Sequence, residues 1–275
     1  MEFTLSEANV LKMTIKIKNM PNLNTIAKNT WCPGCTNFFI LTAFNKAVEE
    51  MVAEGFDKDK LFCAAGIGCH GKIADYINLN SCIALHGREA ALASGAKLAN
   101  PELTVVAFAG DGDAYAEGIE HLVHLAKRNS GISLFVHNNQ VFGLTTGQAT
   151  PTSPKGYRGR STPFGSIDEP LNPLLVLLSS GATFVARAYA PDLKETQALM
   201  KRAMKHRGFA VIDIIQPCIT FADTREHFRN HVQWLDPNAP RDDFEAAVKL
   251  IRQDGEKTLL GIFYEVAKPT FEEQA

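Results

Sequence analysis

The chain is expected to fold as a doubly wound, mostly parallel α/β sheet. Three observations predict it. Short apolar runs alternate with helical patterns along most of the 275 residues. The two clearest runs, Leu103–Ala109 and Ile132–His137, are almost continuously apolar and rich in β-branched and aromatic residues, as strands buried on both faces are. Between them Ile119, Leu122, Val123 and Ala126 recur at helical spacing, with charged residues opposite. That is a βαβ unit, and such units lay their strands parallel in one sheet.

The remaining elements come in order. Residues 1–29 are weakly patterned and are expected to form an arm. Trp31-Cys32-Pro33-Gly34-Cys35 is a turn. Ile40, Phe44, Ala47, Val48 and Met51 share one face of a helix that ends near Gly55. Residues 61–65 predict a short strand running into Gly66-Ile67-Gly68-Cys69-His70-Gly71-Lys72. Residues 82–85 predict another, after which His86-Gly87-Arg88 opens an alanine-rich helix stopped by Asn100-Pro101. Beyond the central unit, periodicity disappears from Gly143 to Pro173, where Pro, Gly, Ser and Thr dominate and Lys155, Arg158 and Arg160 are interspersed. Loops of that length inside compact domains are usually functional or mobile. An apolar helix over 172–180, closed by Gly181, leads to a strand over 183–187. Asp192 with Glu195 resembles a capping arrangement for a helix ending near Gly208. A strand over 209–215 ends in Gln216-Pro217-Cys218. A helix over 242–253 and a further strand over 259–264 complete a tail. The expected division is an arm over 1–29, a main domain over 30–235 and a tail over 236–275.

Composition narrows the function. A net charge of −2 gives no electrostatic argument for nucleic acid or an anionic membrane as partner. There is no long apolar run and no signal-peptide pattern, so a soluble, cytoplasmic protein is expected. Six cysteines in such a chain point to metal or redox chemistry rather than disulfides.

Both central strands end in polar residues at their carboxyl ends, the sheet edge where open α/β folds bind ligands. Gly110 and Gly112 permit close approach of backbone to a bulky anion. Asp111 and Asn139 offer hard oxygen ligands of the kind Mg²⁺ takes together with phosphate oxygens and water. A tight turn with Asp111 as helix cap is the plainer alternative. Cys32 and Cys35 form a CxxC pair, while Cys69 and Cys218 stand alone in turns at strand ends. Four thiolates suit an iron–sulfur cluster or a structural zinc, and a CxxC alone is also compatible with a redox dithiol. The lack of a second close pair favours the cluster over zinc. Cys63 and Cys82 fall inside predicted strands and read as buried structural cysteines. Gly66 to Lys72 matches a P-loop in outline, but Ile73 stands where the Mg-binding hydroxyl belongs.

Gly110-Asp111-Gly112 followed by Asn139, 27 positions beyond Gly112, resembles the thiamine diphosphate (ThDP) fingerprint. The resemblance implies a ThDP-binding fold with Mg²⁺ held by Asp111, Asn139 and the carbonyl of Val141. The wider set is similar to the β subunit of the short-subunit 2-oxoacid:ferredoxin oxidoreductases. It comprises Trp-Cys-Pro-Gly-Cys at 31–35, Gly-Ile-Gly-Cys at 66–69, His-Gly-Arg at 86–88, Gly-Asp-Gly-Asp at 110–113, the stretch from Gly143 to Gln148, and Pro217-Cys218. This resemblance runs from about Lys28 to Phe221. It implies one 4Fe-4S cluster on Cys32, Cys35, Cys69 and Cys218. Around the cofactor it implies Gly68, Cys69, His86, Gly87, Arg88, Gly110, Asp111, Gly112, Asp113, Asn139, Val141, Gly143, Leu144 and Thr145. Lys72 and His86 would serve catalysis near the substrate. Two positions depart from the family's habit: Thr36, often a third small residue after the cysteine motif, and Thr146, a Lys in some members.

The expected activity is CoA-dependent oxidative decarboxylation of a 2-oxoacid, 2-oxoglutarate or pyruvate, with electrons passed through the cluster to ferredoxin, and reversible given a strong reductant. The resemblance also implies an α subunit that supplies the Glu facing the aminopyrimidine, in a dimer of heterodimers. Glu89 and Glu117 lie on predicted helices at the diphosphate end, the wrong end for that task. A non-redox ThDP decarboxylase or synthase subunit, and a cluster-bearing electron-transfer subunit without catalysis of its own, are the alternatives.

Overall fold

A computed structural model describes residues 22–253 and 257–275. Most of the expected arm, residues 1–21, lies outside the described residues. The rest of that arm is anchored to the domain: Leu23 is buried, and Asn24 bridges to Ile77.

The sheet is built in this order. Helix α1 (Asn37–Ala53) precedes β1 (Leu61–Ala65). The short α2 (Ile73–Tyr76), β2 (Asn80–Ile83) and α3 (Glu89–Ala99) come next. Then come β3 (Thr104–Gly110), α4 (Ile119–Arg128) and β4 (Ile132–Asn138). A small hairpin, β5 (Val141–Phe142) with β6 (Gln148–Ala149), sits in the long loop. The second half contains α5 (Pro173–Ser179), β7 (Phe184–Tyr189), α6 (Leu193–Lys205) and β8 (Ala210–Ile215). The chain ends through α7 (Arg225–His231), β9 (Val232–Trp234), α8 (Phe244–Arg252), β10 (Thr258–Glu265) and α9 (Phe271–Gln274).

Eight strands form one sheet in the order β2-β1-β3-β4-β8-β7-β10-β9. Pairing is parallel from β2 to β7. β10 runs antiparallel to its neighbour β7, and β9 lies parallel to β10. Strand side chains alternate between the two faces, so each run feeds two cores. Phe108 and Phe135 pack with Phe44 and Val48 of α1 and with Met200 of α6. Ala107, Leu134 and Val136 face α3, α4, α5 and α8. The chain winds from β1 outward to β2 and then crosses back to β3. The sheet's switch point therefore lies between β1 and β3, where such folds open a crevice at the carboxyl ends of the strands.

Several expectations change. β2 is an edge strand and exposed along its length, so Cys82 is exposed rather than a buried structural cysteine. Cys63, on β1, is buried. Asp192 makes no capping bond; its carboxylate instead accepts from Trp234 Nε1 at 2.7 Å, tying α6 to β9. The tail is woven into the sheet through β10, and α7, β9 and α9 have no counterpart in the sequence pattern. Among the described residues no helix is long and apolar enough to cross a membrane.

Candidate active site

The carboxyl ends of β1 to β4 meet around a small pocket of about 70 Å³. The turn after β1 brings Gly68, Cys69 and His70; the turn after β2 brings His86. β3 delivers Gly110 to Asp113, and β4 delivers His137 and Asn139. Val141 to Thr145 close it. β3 runs straight into a helical turn, and Asp113–Glu117 winds as one π-helical turn. The two motif glycines are packed by side chains. A Cβ on Gly110 would stand 2.7 Å from His70 Nδ1, and one on Gly112 2.2 Å from Phe142 Cε1.

Asp111 is buried and carries a dense acceptor set. Its Oδ2 accepts from Thr150 Oγ1 at 2.6 Å and Thr152 Oγ1 at 2.8 Å, and its Oδ1 from the Asn139 amide at 3.3 Å. Burial nevertheless raises its pKa to about 6, the hydroxyl and amide bonds offsetting only part of that cost. A divalent cation would offset the rest, so the residue suits a metal ligand. The Asn139 side chain accepts from Val141 N at 3.1 Å and donates to Gln216 Oε1 at 3.2 Å, with Gln140 between Asn139 and Val141 at φ 60°. Asn139 and Val141, joined by this local turn, both line the pocket.

Asp113 has more partners than its place one residue past the fingerprint suggests. It accepts from Gly87 N at 2.7 Å, and its other oxygen lies 3.0 Å from His70 Nε2. His86 Nδ1 is 3.0 Å away, without hydrogen-bond geometry. Burial raises the Asp113 pKa, but His70, Gly87 and His86 outweigh it, so the carboxylate stays charged. Buried His137 bonds Asn37 through Nδ1 at 2.7 Å; burial and nearby His70 hold its pKa well below the usual value, so the ring is neutral.

A second cavity, about 200 Å³, adjoins the first. Cys32, Cys35, Cys69 and Cys218 all line it, with Lys72, Thr146 and Phe221. Trp31 Nε1 donates to the Cys69 carbonyl at 2.6 Å. Thr36 donates to the Pro217 carbonyl at 2.8 Å and accepts from Gln216 Nε2 at 2.6 Å. These bonds bind the three cysteine-bearing turns together. Burial pushes the Cys69 thiol up to about 11, with neighbouring Cys35, Cys218 and Cys32 adding to it, and Cys35 is raised for the same reasons. Such mutual repulsion of thiolates is what bound iron would relieve. A Cβ on Gly143 would stand 3.7 Å from Cys69 Sγ and 3.8 Å from Cys218 Sγ. Among the described residues no three His, Cys, Asp or Glu side chains stand close enough for one metal ion; the thiols surround a space rather than a point.

A chain segment matching the C-terminal thiamine pyrophosphate-binding domain of thiamine pyrophosphate enzymes spans residues 66–214, and residues 218–275 match the C-terminal region of the pyruvate ferredoxin oxidoreductase β subunit. The β subunit of a 2-oxoacid:ferredoxin oxidoreductase from Saccharolobus solfataricus is 42% identical over 252 residues, covering 86% of this chain and 82% of that one. The chain belongs to the 2-oxoacid:ferredoxin oxidoreductase β-subunit family. A 2-oxoglutarate synthase subunit of Archaeoglobus fulgidus is 36% identical, covering 78% of this β-subunit chain and 80% of its own. The 2-oxoglutarate:ferredoxin oxidoreductase from Magnetococcus marinus, solved with 2-oxoglutarate, coenzyme A and succinyl-CoA bound, superposes with a TM-score of 0.89 at 36% identity. That match covers 93% of this chain and 89% of that one.

In this β-subunit chain the anticipated residues divide. Gly68, Cys69, His86, Gly110, Asp111, Gly112, Asp113, Asn139, Val141, Gly143, Leu144 and Thr145 line the strand-end pocket. Gly87 stands behind it as a donor to Asp113. Arg88 turns away, donating to the Glu117 carbonyl at 2.7 Å. Lys72 lies at the cysteine cavity, 3.4 Å from the Thr30 carbonyl. Arg160 reaches Thr146 Oγ1 at 3.4 Å. Sequence reasoning missed His70, His137, Gln216, Thr150 and Thr152. The first three adjoin recognised motifs and were findable by position; the two threonines sit in an aperiodic loop and carried no signal.

Proposed function

We propose that this chain is the ThDP- and cluster-bearing subunit of a heteromeric enzyme that oxidatively decarboxylates 2-oxoglutarate with coenzyme A and passes the electrons to ferredoxin. One observation carries the reading: the pocket at the strand ends and the cysteine cavity share walls, with Cys69, Asn139, Gly143 and Leu144 lining both. A cofactor that stores an electron pair and a cluster that removes it would stand side by side. The choice of 2-oxoglutarate over pyruvate rests on the ligands of the Magnetococcus marinus relative and the named activity of the Archaeoglobus fulgidus one.

Asp111, Asn139 and the Val141 carbonyl would hold Mg²⁺, which in turn would anchor the diphosphate. When bound, the cofactor supplies carbanion chemistry and an electron sink that no side chain offers. The chain's own residues position and charge-balance. Cys32, Cys35, Cys69 and Cys218 would ligate a 4Fe-4S cluster, for which thiolate ligation is the rule. His86, half-buried with Nδ1 turned toward Asp113, leaves Nε2 to donate to or accept from substrate at the pocket mouth. Lys72 provides a cation on the cysteine side for a substrate carboxylate.

The test is anaerobic co-purification with the partner subunit, followed by iron, acid-labile sulfide, Mg and ThDP analysis, and assay of 2-oxoglutarate and pyruvate with coenzyme A and a dye acceptor. Iron and sulfide in cluster proportion, with 2-oxoglutarate preferred, support the reading. Zinc without iron from iron-replete cells would overturn the cluster. ThDP-dependent turnover that reduces no acceptor would favour the non-redox alternative.

A further inference from the structure

Behind the strand-end pocket lies a second acid that the proposed chemistry does not use. Glu89 opens α3 and is fully buried. Neither of its carboxyl oxygens meets a partner in full hydrogen-bond geometry, although Asp113 lies within reach of it. Both it and Asp113 crowd against Gly66: a Cβ there would stand 1.7 Å from Asp113 Oδ2 and 2.9 Å from Glu89 Oε2. Asp113 is the hub that accepts from Gly87 N and bonds His70 Nε2. His70 in turn fills the space beside two pocket glycines, 2.8 Å from where a Cβ on Gly68 would stand and 2.7 Å from one on Gly110. The geometry thus runs Glu89, Asp113, His70, then the backbone that floors the pocket.

We propose that Glu89 is a positioning residue for the diphosphate pocket, acting through Asp113 on His70 and on the turns at Gly68 and Gly110. A second buried carboxylate beside Asp113 would repel it, whereas a neutral carboxylic acid would donate to it. Burial, and then Asp113, raise the Glu89 pKa to about 8, in keeping with the neutral form. As a neutral acid Glu89 has a donor to give, and Asp113, whose side-chain hydrogen bond to it is among the causes of the shift, is the acceptor beside it.

The inference rests on the cofactor reading, and the test separates the two. ThDP dissociation constants, with Mg²⁺ in excess, are measured on the assembled enzyme for wild type, Glu89→Gln and Glu89→Leu. Gln keeps a neutral donor; Leu fills a similar volume without one, and an unchanged iron and sulfide content shows that it has folded. Wild type and Glu89→Gln should agree within about twofold, and Glu89→Leu should bind about tenfold more weakly, about 1.4 kcal/mol. Iron and sulfide content should be the same in all three. Infrared difference spectra should show a protonated-carboxyl C=O band that Glu89→Gln removes. Wild-type affinity in Glu89→Leu would reduce Glu89 to a space-filler and overturn the proposal. So would Glu89→Gln binding as weakly as Glu89→Leu, or absence of the carboxyl band. Wild-type enzyme that takes up no ThDP would overturn the cofactor reading, and this role with it.

Discussion

Asp111 and Glu89 are both buried acids at one pocket, and they carry different predictions. Asp111 is surrounded by donors, Thr150, Thr152 and the Asn139 backbone N–H, and under the proposed function its carboxylate would hold the Mg²⁺. Asp111→Ala should weaken ThDP·Mg binding by about two orders of magnitude, about 3 kcal/mol. Calorimetric titration showing unchanged affinity would mean that the metal sits elsewhere. Glu89 predicts a pH dependence instead. Its folded pKa of about 8 lies above its ordinary 4.5. The folded state therefore keeps a proton that the unfolded chain releases, and stability falls as pH rises through that window, by at most about 1.4 kcal/mol per unit. Asp113 and Arg88 act on it directly, with His70 and His86 on the far side of Asp113, and the variant leaves all four in place. Glu89→Gln should gain on wild type between about pH 5 and pH 8 in paired denaturation curves. A difference that stays flat with pH would show that Glu89 does not titrate on unfolding.

At the scale of elements, the central βαβ unit was legible because its signals agree. Residues 104–110 and 132–138 are buried almost throughout, and α4 carries a clear apolar face, so run length, β-branching and period all point one way. The cysteine turns were legible as motifs, and their convergence comes from β1 and β8 ending on the same sheet edge. Other features depend on neighbours that local sequence does not reveal. Cys82 resembles Cys63 in its surroundings along the chain, yet β2 has a partner on one side alone. β9 is three residues long and owes its place to pairing beside β10, and Asp192 was diverted from capping by a tryptophan 42 positions away. Where a local rule has no competitor it should hold quantitatively. Asn172 Oδ1 accepts from Leu175 N at 3.2 Å and caps α5, while its Nδ2 donates to the Ile251 carbonyl at 3.3 Å. Asn172→Ala should cost about 1 kcal/mol. Urea denaturation would check it, and a loss well under half that would mean the cap is replaced by water.

At the scale of the whole molecule, the proposed function has the described residues serving one end of the cofactor and leaves the other to be supplied. ThDP has a diphosphate, which needs a metal and close backbone, and an aminopyrimidine, which in this class of enzyme needs a carboxylic acid to promote the reactive tautomer. Under the proposed function, Asp111, Asn139 and the glycine-lined turns, which line one pocket, would serve the first. Two of its acids near the pocket are committed: Asp113 to His70 and Gly87, and Glu89 to the buried space behind Asp113. The relatives that match over most of their length are themselves named as β subunits, and this chain covers 82% of the Saccharolobus solfataricus one. The missing acid is therefore expected from a separate polypeptide. The purified chain, with iron and sulfide intact and saturated with ThDP and Mg²⁺, should bind cofactor but show no 2-oxoacid oxidation with a dye acceptor. Adding the partner subunit should restore turnover, and a Glu→Gln change in the partner's pyrimidine-facing acid should abolish it again while leaving ThDP affinity nearly unchanged. Full turnover by the isolated chain would refute the split site and move the search for the activating acid back to this chain's own carboxylates.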